Sequence, residues 1–202
     1  MPFDSFKHHR RSIRLKGYDY SQAGAYFVTI CVQHHQNLFG NVADAEMQLN
    51  DLGIIAKDCW CTIPQHFPNV ELGEYMVMPN HIHGIVVIAD DCRGVQLNAP
   101  TETRDLSNPF SAISPKRKTL SVIIRTYKAA VTTRCREIDR ADFVWLGNYY
   151  EHIIRNEREW NAIAKYIYDN PANWLGDLDN PTNFVKRLSP NTSDEHWQDA
   201  GL

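Results

Sequence analysis

Apolar and polar positions along this chain follow two rhythms, one of period two and one of three to four. Tyr26-Phe27-Val28-Thr29-Ile30-Cys31-Val32-Gln33, after Ala23-Gly24, is dense in aromatic and β-branched residues and predicts a buried first strand. Residues 38–50 predict a Gly40-Asn41 turn and a short second strand over 46–49. Asn50 or Asp51 caps a helix running to about residue 63, with Ile54, Ile55, Trp60 and Ile63 on its apolar side and Pro64 as its stop. Residues 70–78 and 82–88 then read as an antiparallel strand pair joined at Pro79-Asn80. Residues 84–88 are apolar on both faces, which marks a central, doubly covered strand.

Between 119 and about 137, Leu120, Ile123, Ile124, Tyr127 and Val131 recur at helical spacing, with Arg125, Lys128 and Arg134 off the stripe. Residues 143–145 and 149–154 predict short strands around Gly147-Asn148. The last helix opens at Asn156, with Glu159 three residues on, runs through Trp160, Ile163, Ala164 and Ile167, and ends at Asn170-Pro171. This order predicts an α+β fold, most economically a ferredoxin-like antiparallel sheet with helices packed on it. One domain is expected over 23–176. A basic arm (1–22) precedes it, a loop-rich insertion expected to be disordered interrupts it at about 90–118, and an acidic tail with little core potential follows (177–202).

Composition changes this picture little. A hydrophobic content of 43% and a charged content of 22% are ordinary for a soluble domain, and no apolar run is long enough to span a bilayer. The start of the chain lacks the apolar stretch of a secretory signal, so a cytoplasmic protein with no membrane partner is expected. Cys31, Cys59, Cys61, Cys92 and Cys135 are odd in number and scattered, and reduced structural thiols are the reading; Cys59 and Cys61, two apart on a helix, face away from each other. The net charge of −3 opposes a nucleic-acid partner only until its distribution is considered. Lys7, Arg10, Arg11, Arg14 and Lys16 crowd the first twenty residues, and Lys116, Arg117, Lys118, Arg125, Lys128, Arg134, Arg136 and Arg140 crowd 114–140. Phosphate binding depends on such local clusters, though a solvated face accounts for them on charge alone.

The candidate chemistry lies at His81-Ile82-His83. On a strand, alternate side chains share a face, so the two imidazoles stand side by side as half of a metal site. The bland alternative is one capping and one hydrogen-bonded core histidine. On the last helix Tyr166 and Asn170 lie one turn apart, bordering the apolar side formed by Trp160, Ile163 and Ile167. Docking that side on the sheet carries both to the rim of the interface, and the constellation is then His81, His83, the Asn170 carboxamide and a phenol.

Met78-Pro79-Asn80-His81-Ile82-His83-Gly84 resembles the HUH motif of single-tyrosine HUH transposases (IS200-like). Tyr149-Tyr150-Glu151-His152-Ile153-Ile154-Arg155-Asn156-Glu157, the block Tyr166-Ile167-Tyr168-Asp169-Asn170-Pro171, and the N-terminal Arg11-Ser12-Ile13-Arg14-Leu15-Lys16 with the run 18–30 resemble the REP-associated tyrosine transposase branch. The resemblance covers about 10–175, apart from the insertion. It implies Mg²⁺ or Mn²⁺ at His81 and His83, and Tyr166 as the nucleophile. Tyr168, about 200° further round the helix, is turned away. Where related members carry a Gln as a further ligand, this chain has the shorter Asn170.

The resemblance also implies cleavage and rejoining of single-stranded DNA at hairpins through a 5′-phosphotyrosine. Arg10, Arg11, Arg14, Lys16, Lys116, Arg117, Lys118, Arg125 and Lys128 are candidates for backbone contact, and Tyr149 and Tyr150 for base stacking. Glu151 and His152 match the family block without an assigned role, a structural bond to the tyrosine helix being one reading. Oligomeric state is left open. Two alternatives stand beside this reading: a DNA-hairpin-binding protein without transposition, and a hydrolytic metalloenzyme that uses His81 and His83 without Tyr166.

Overall fold

The computed structural model describes residues 22–89, 119–177 and 179–183. The arm up to residue 21, the insertion at 90–118 and the tail beyond 183 lie outside the described residues. The principal sheet has four strands in the order β4-β5-β1-β6, every neighbouring pair antiparallel: β1 (Gly24–Cys31), β4 (Val70–Val77), β5 (His81–Ile88) and β6 (Tyr150–Ile154). With α1 (Asp51–Cys61) between β1 and β4, α3 (Leu120–Glu137) between β5 and β6, and α4 (Glu157–Asn173) after β6, this is the ferredoxin-like α+β arrangement. A hairpin of β2 (Gly40–Ala43) and β3 (Glu46–Leu49) and a single-turn helix α2 (Ile63–His66) decorate it. Among the described residues no helix is long and apolar enough to cross a membrane, and no disulfide is formed.

Strand alternation divides the sheet chemically. Tyr26, Val28 and Ile30 of β1, with Ile82, Val86 and Ile88 of β5, join Ile55 and Trp60 of α1 and Ile123, Ile124, Tyr127 and Val131 of α3 in the large core. Gly84 belongs to this face: a Cβ there would run into the Trp60 indole, so glycine is what lets the ring lie flat on the strand. The opposite face is covered by α4 through a small cluster of Phe27, Ile85, Ile154, Ile163 and Ile167. Asn50 and Asn156 cap α1 and α4 through their side-chain oxygens, accepting from Gly53 N at 3.0 Å and Glu159 N at 2.9 Å, as their sequence context predicts.

Several local expectations are corrected. The hairpin turns at Asp44-Ala45, both with positive φ as a two-residue primed turn needs, whereas Gly40 opens β2 at φ 137, where a side chain would strike Gln48 O. Ile54 is 47% exposed, because α1 presents Ile55 and not its neighbour to the core. Pro64 sits in the first turn of α2, where its missing N–H costs nothing, and so does not mark a stop.

Residues 143–145 form no hairpin with β6. Trp145 makes an isolated bridge to Val32, and Leu146 N donates to Cys31 O at 2.9 Å, so this segment extends along the end of β1. Helix α4 continues past Pro171 to Asn173, the proline lying within its last turn. Finally, the stretch expected to begin a tail is packed in place: Asp177 and Asn180 are buried, and Asn180 Nδ2 donates to Trp174 O at 2.9 Å.

Candidate active site

His81 and His83 lie on the α4 face of β5, fully buried in an inner strand. Their Nε2 atoms are 2.9 Å apart. Asn80, 0% exposed, sets the ring state of His81. Its Nδ2 donates to two carbonyls, His35 O at 2.9 Å and Asp179 O at 2.7 Å, which only an N–H can satisfy. Its Oδ1 therefore faces His81 Nδ1 at 2.8 Å, so Nδ1 holds the proton and Nε2 presents a lone pair.

On His83, Nδ1 is 2.8 Å from Thr29 Oγ1, a hydroxyl able to accept from one imidazole tautomer or donate to the other. Two imidazole nitrogens this close require either a shared proton or a cation between them. When Thr29 accepts, both Nε2 lone pairs converge on the same point. Ligands cis to one another on an octahedral ion at about 2.1 Å would stand about 3.0 Å apart, close to the separation seen.

Helix α4 roofs this point. Tyr166 Oη lies 3.3 Å from His83 Nε2, and its ring is fixed edge-on against His83 (centroids 5.2 Å apart) and Phe27 (6.2 Å). One turn on, Asn170 is buried, its Nδ2 3.3 Å from Asp177 Oδ2 and its Oδ1 buried without a hydrogen-bond partner. Asp177 completes a group with His81 and His83 whose ligand atoms all lie within 4.8 Å of one another. Sequence reasoning missed Asp177, which reads as part of an acidic tail with little core potential; the aromatic Trp174 three residues before it was the available signal. Tyr168, 78% exposed, points away from the site, as its spacing predicts.

The donors fit a dication. Burial and, after it, the Asp177 and Asp179 carboxylates push the Tyr166 phenol far above its ordinary range, with Asn170 opposing through a hydrogen bond. Without a positive charge nearby this tyrosine stays protonated. A buried amide oxygen lacking a donor, a buried carboxylate and converging imidazoles are all satisfied by a cation.

No protein-family model matches the chain. An uncharacterised protein of Haemophilus influenzae is 45% identical over 170 residues, a match covering 84% of this chain and 92% of that protein. The two chains belong to one family. Among solved structures, a REP-associated tyrosine transposase bound to a REP hairpin superposes with a TM-score of 0.53 at 17% identity, covering 80% of this chain and 74% of that one. This likeness establishes a shared fold, the HUH transposase fold.

In this family member the remaining predicted residues are spread around the site. Tyr150 pairs with Thr29 across the sheet, on the histidine face, half-buried against Phe27; burial raises its pKa. Tyr149 packs on the large core, with Lys128 Nζ 5.9 Å from its ring centre. Lys128 Nζ also donates to Leu146 O at 2.8 Å and Asn148 O at 3.0 Å, fixing the loop ahead of β6. Arg125 is exposed on the same helix, α3, which covers the face opposite the histidines. Glu151 also faces that side, opposite Val28. His152 lies on the α4 side with Nε2 3.7 Å from Glu159 Oε2 on the tyrosine helix; burial lowers its pKa. Arg10, Arg11, Arg14, Lys16, Lys116, Arg117 and Lys118 lie outside the described residues.

Proposed function

We propose that this protein is a metal-dependent tyrosine transposase of the single-tyrosine HUH type, cleaving and rejoining single-stranded DNA at hairpins. The observation carrying this reading is the approach of Tyr166 Oη to the paired imidazoles, an arrangement with no structural need for a phenol. His81, His83 and Asp177 would hold the ion, with the buried Asn170 Oδ1 as a further donor. The family resemblance implies Mg²⁺ or Mn²⁺ here, with the Asp177 and Asn170 oxygens supplying the donors such ions favour; when bound, the ion would neutralise charge developing on a nonbridging phosphate oxygen.

The chain's own residues do the rest. Phe27 and His83 pack edge-on against the phenol ring, so little orientational freedom is lost on attack. Tyr166 Oη bonds to phosphorus as its proton passes to solvent; the bond from phosphorus to the 3′ oxygen breaks, and that oxygen takes a proton from solvent and leaves as a hydroxyl. The product is a 5′-phosphotyrosine that conserves the ester, so a second 3′ hydroxyl can reverse the step without ATP. The fold shared with a transposase bound to a REP hairpin supports hairpin DNA as substrate.

The test is a covalent adduct between the protein and a hairpin oligonucleotide in Mn²⁺. Wild type and Tyr168→Phe should form it and Tyr166→Phe should not. An adduct or undiminished cleavage in Tyr166→Phe refutes the assignment; hairpin binding by wild type with no adduct favours a binding protein instead.

A further inference from the structure

A second group of donors lies beside the histidine pair and uses different chemistry. Cys31, the last residue of β1, pairs directly with His81 in the sheet register, so its side chain lies on the same face. Chain reversal immediately after β1 brings His35 back toward it, through His34 and His35 at φ 58 and 50. From far along the chain Asp179 completes the group: its Oδ1 is 3.5 Å from His35 Nδ1, and the ligand atoms of Cys31, His35 and Asp179 all lie within 4.8 Å of one another.

The backbone is braced to keep them there. Asn80 Nδ2 bonds the carbonyls of both His35 and Asp179, and Asp179 N donates to Asp177 Oδ1 at 2.6 Å. We propose that Cys31, His35 and Asp179 form a second metal site, selective for a borderline-soft dication such as Zn²⁺. A thiolate, an imidazole and a carboxylate, with one position left for water, make a tetrahedral set of the kind zinc takes, whereas Mg²⁺ and Mn²⁺ favour oxygen donors. The thiol proton passes to solvent as the metal–sulfur bond forms, with no change of oxidation state.

Such a site has a job the fold otherwise leaves to hydrogen bonds. It ties the segment after α4 to the end of β1, and that segment carries Asp177, the carboxylate of the first site. Zinc here would act as a fastener for a residue of the neighbouring centre. The inference does not rest on the DNA-cleavage reading, since it concerns different ligands and is read by a different signal.

The test uses Co²⁺ as a spectroscopic stand-in for Zn²⁺ on the intact, reduced chain. The His81 centre contains no sulfur, so a thiolate-to-cobalt charge-transfer band in the near ultraviolet cannot arise there, and its loss in Cys31→Ser assigns it among the five cysteines. The band should appear, be erased by Zn²⁺ and persist in excess Mg²⁺. Cys31→Ser should abolish it, and His35→Ala and Asp179→Asn should each weaken Co²⁺ binding about tenfold or more. Cys61→Ser and Tyr166→Phe should leave it unchanged. No band in wild type, a band surviving in folded Cys31→Ser, or unaltered affinity in both His35→Ala and Asp179→Asn overturns the proposal. His35 sits in a turn, so its variant reads the site even if Cys31→Ser fails to fold.

Discussion

Replacing Asn80 with alanine removes three hydrogen bonds at once. The His35 and Asp179 carbonyls lose their shared donor, and His81 Nδ1–H loses its acceptor. Each hydrogen bond lost costs about 0.5–1.5 kcal/mol. Water entering the vacated space recovers part of this, so a loss of about 3 kcal/mol is expected; at about 2–4 °C per kcal/mol, the melting temperature should fall by about 6–12 °C. Release of the His81 ring should also weaken Mn²⁺ binding about 10- to 100-fold.

Asn80→Asp separates the two effects. A carboxylate still accepts from Nδ1–H and keeps His81 aligned, but its other oxygen faces two carbonyls and repels them. Urea unfolding should rank this variant at or below Asn80→Ala in stability, while calorimetric titration with Mn²⁺ should place it near wild type in affinity. If Asn80→Ala keeps both wild-type stability and wild-type affinity, or if Asn80→Asp loses affinity as Asn80→Ala does, the bracing role is wrong.

Thr29→Val should reduce Mn²⁺ affinity about 10- to 100-fold by leaving His83 Nδ1 without its hydroxyl, with the fold retained by circular dichroism. Gly84→Ala should cost about 1–3 kcal/mol in urea unfolding, because the Trp60 ring must shift to admit a methyl group. Burial lowers the Lys128 ammonium to about 8 from an ordinary 10.5. The unfolded chain therefore binds more protons between those values, and stability contributed by this group rises with pH from about 8 to 10.5. Lys128→Met should flatten that part of the stability profile; an identical slope in wild type and variant would exclude Lys128 as its source.

The sequence made the strands and the site legible to different depths. Period-two and helical spacing located β1, β5, α3 and α4 because each buries a continuous apolar face, and α4's stripe was enough to carry Tyr166 and Asn170 to the histidines. What it obscured depends on contacts distant in the chain. Trp145 looks like a hairpin strand until Val32 is seen to claim it, and Asp177 looks like solvated tail until Asn170 Nδ2 is found beside it. Asn80 read as a turn residue; its service to His35, His81 and Asp179 together has no local signature. Positive φ at Asp44 and Ala45 was hidden because neither is glycine, while Gly40 suggested a turn that the chain does not make.

Trp60 lies directly behind the histidine-bearing strand, its indole pressed against the residue next to His83. Repacking on that hidden side would tilt both rings at the front without altering a single polar group. On the proposed function, a screen for inactive variants should consequently return greasy substitutions around the indole as often as changes to His81 and His83, and they would be recognised by intact expression with weakened Mn²⁺ binding.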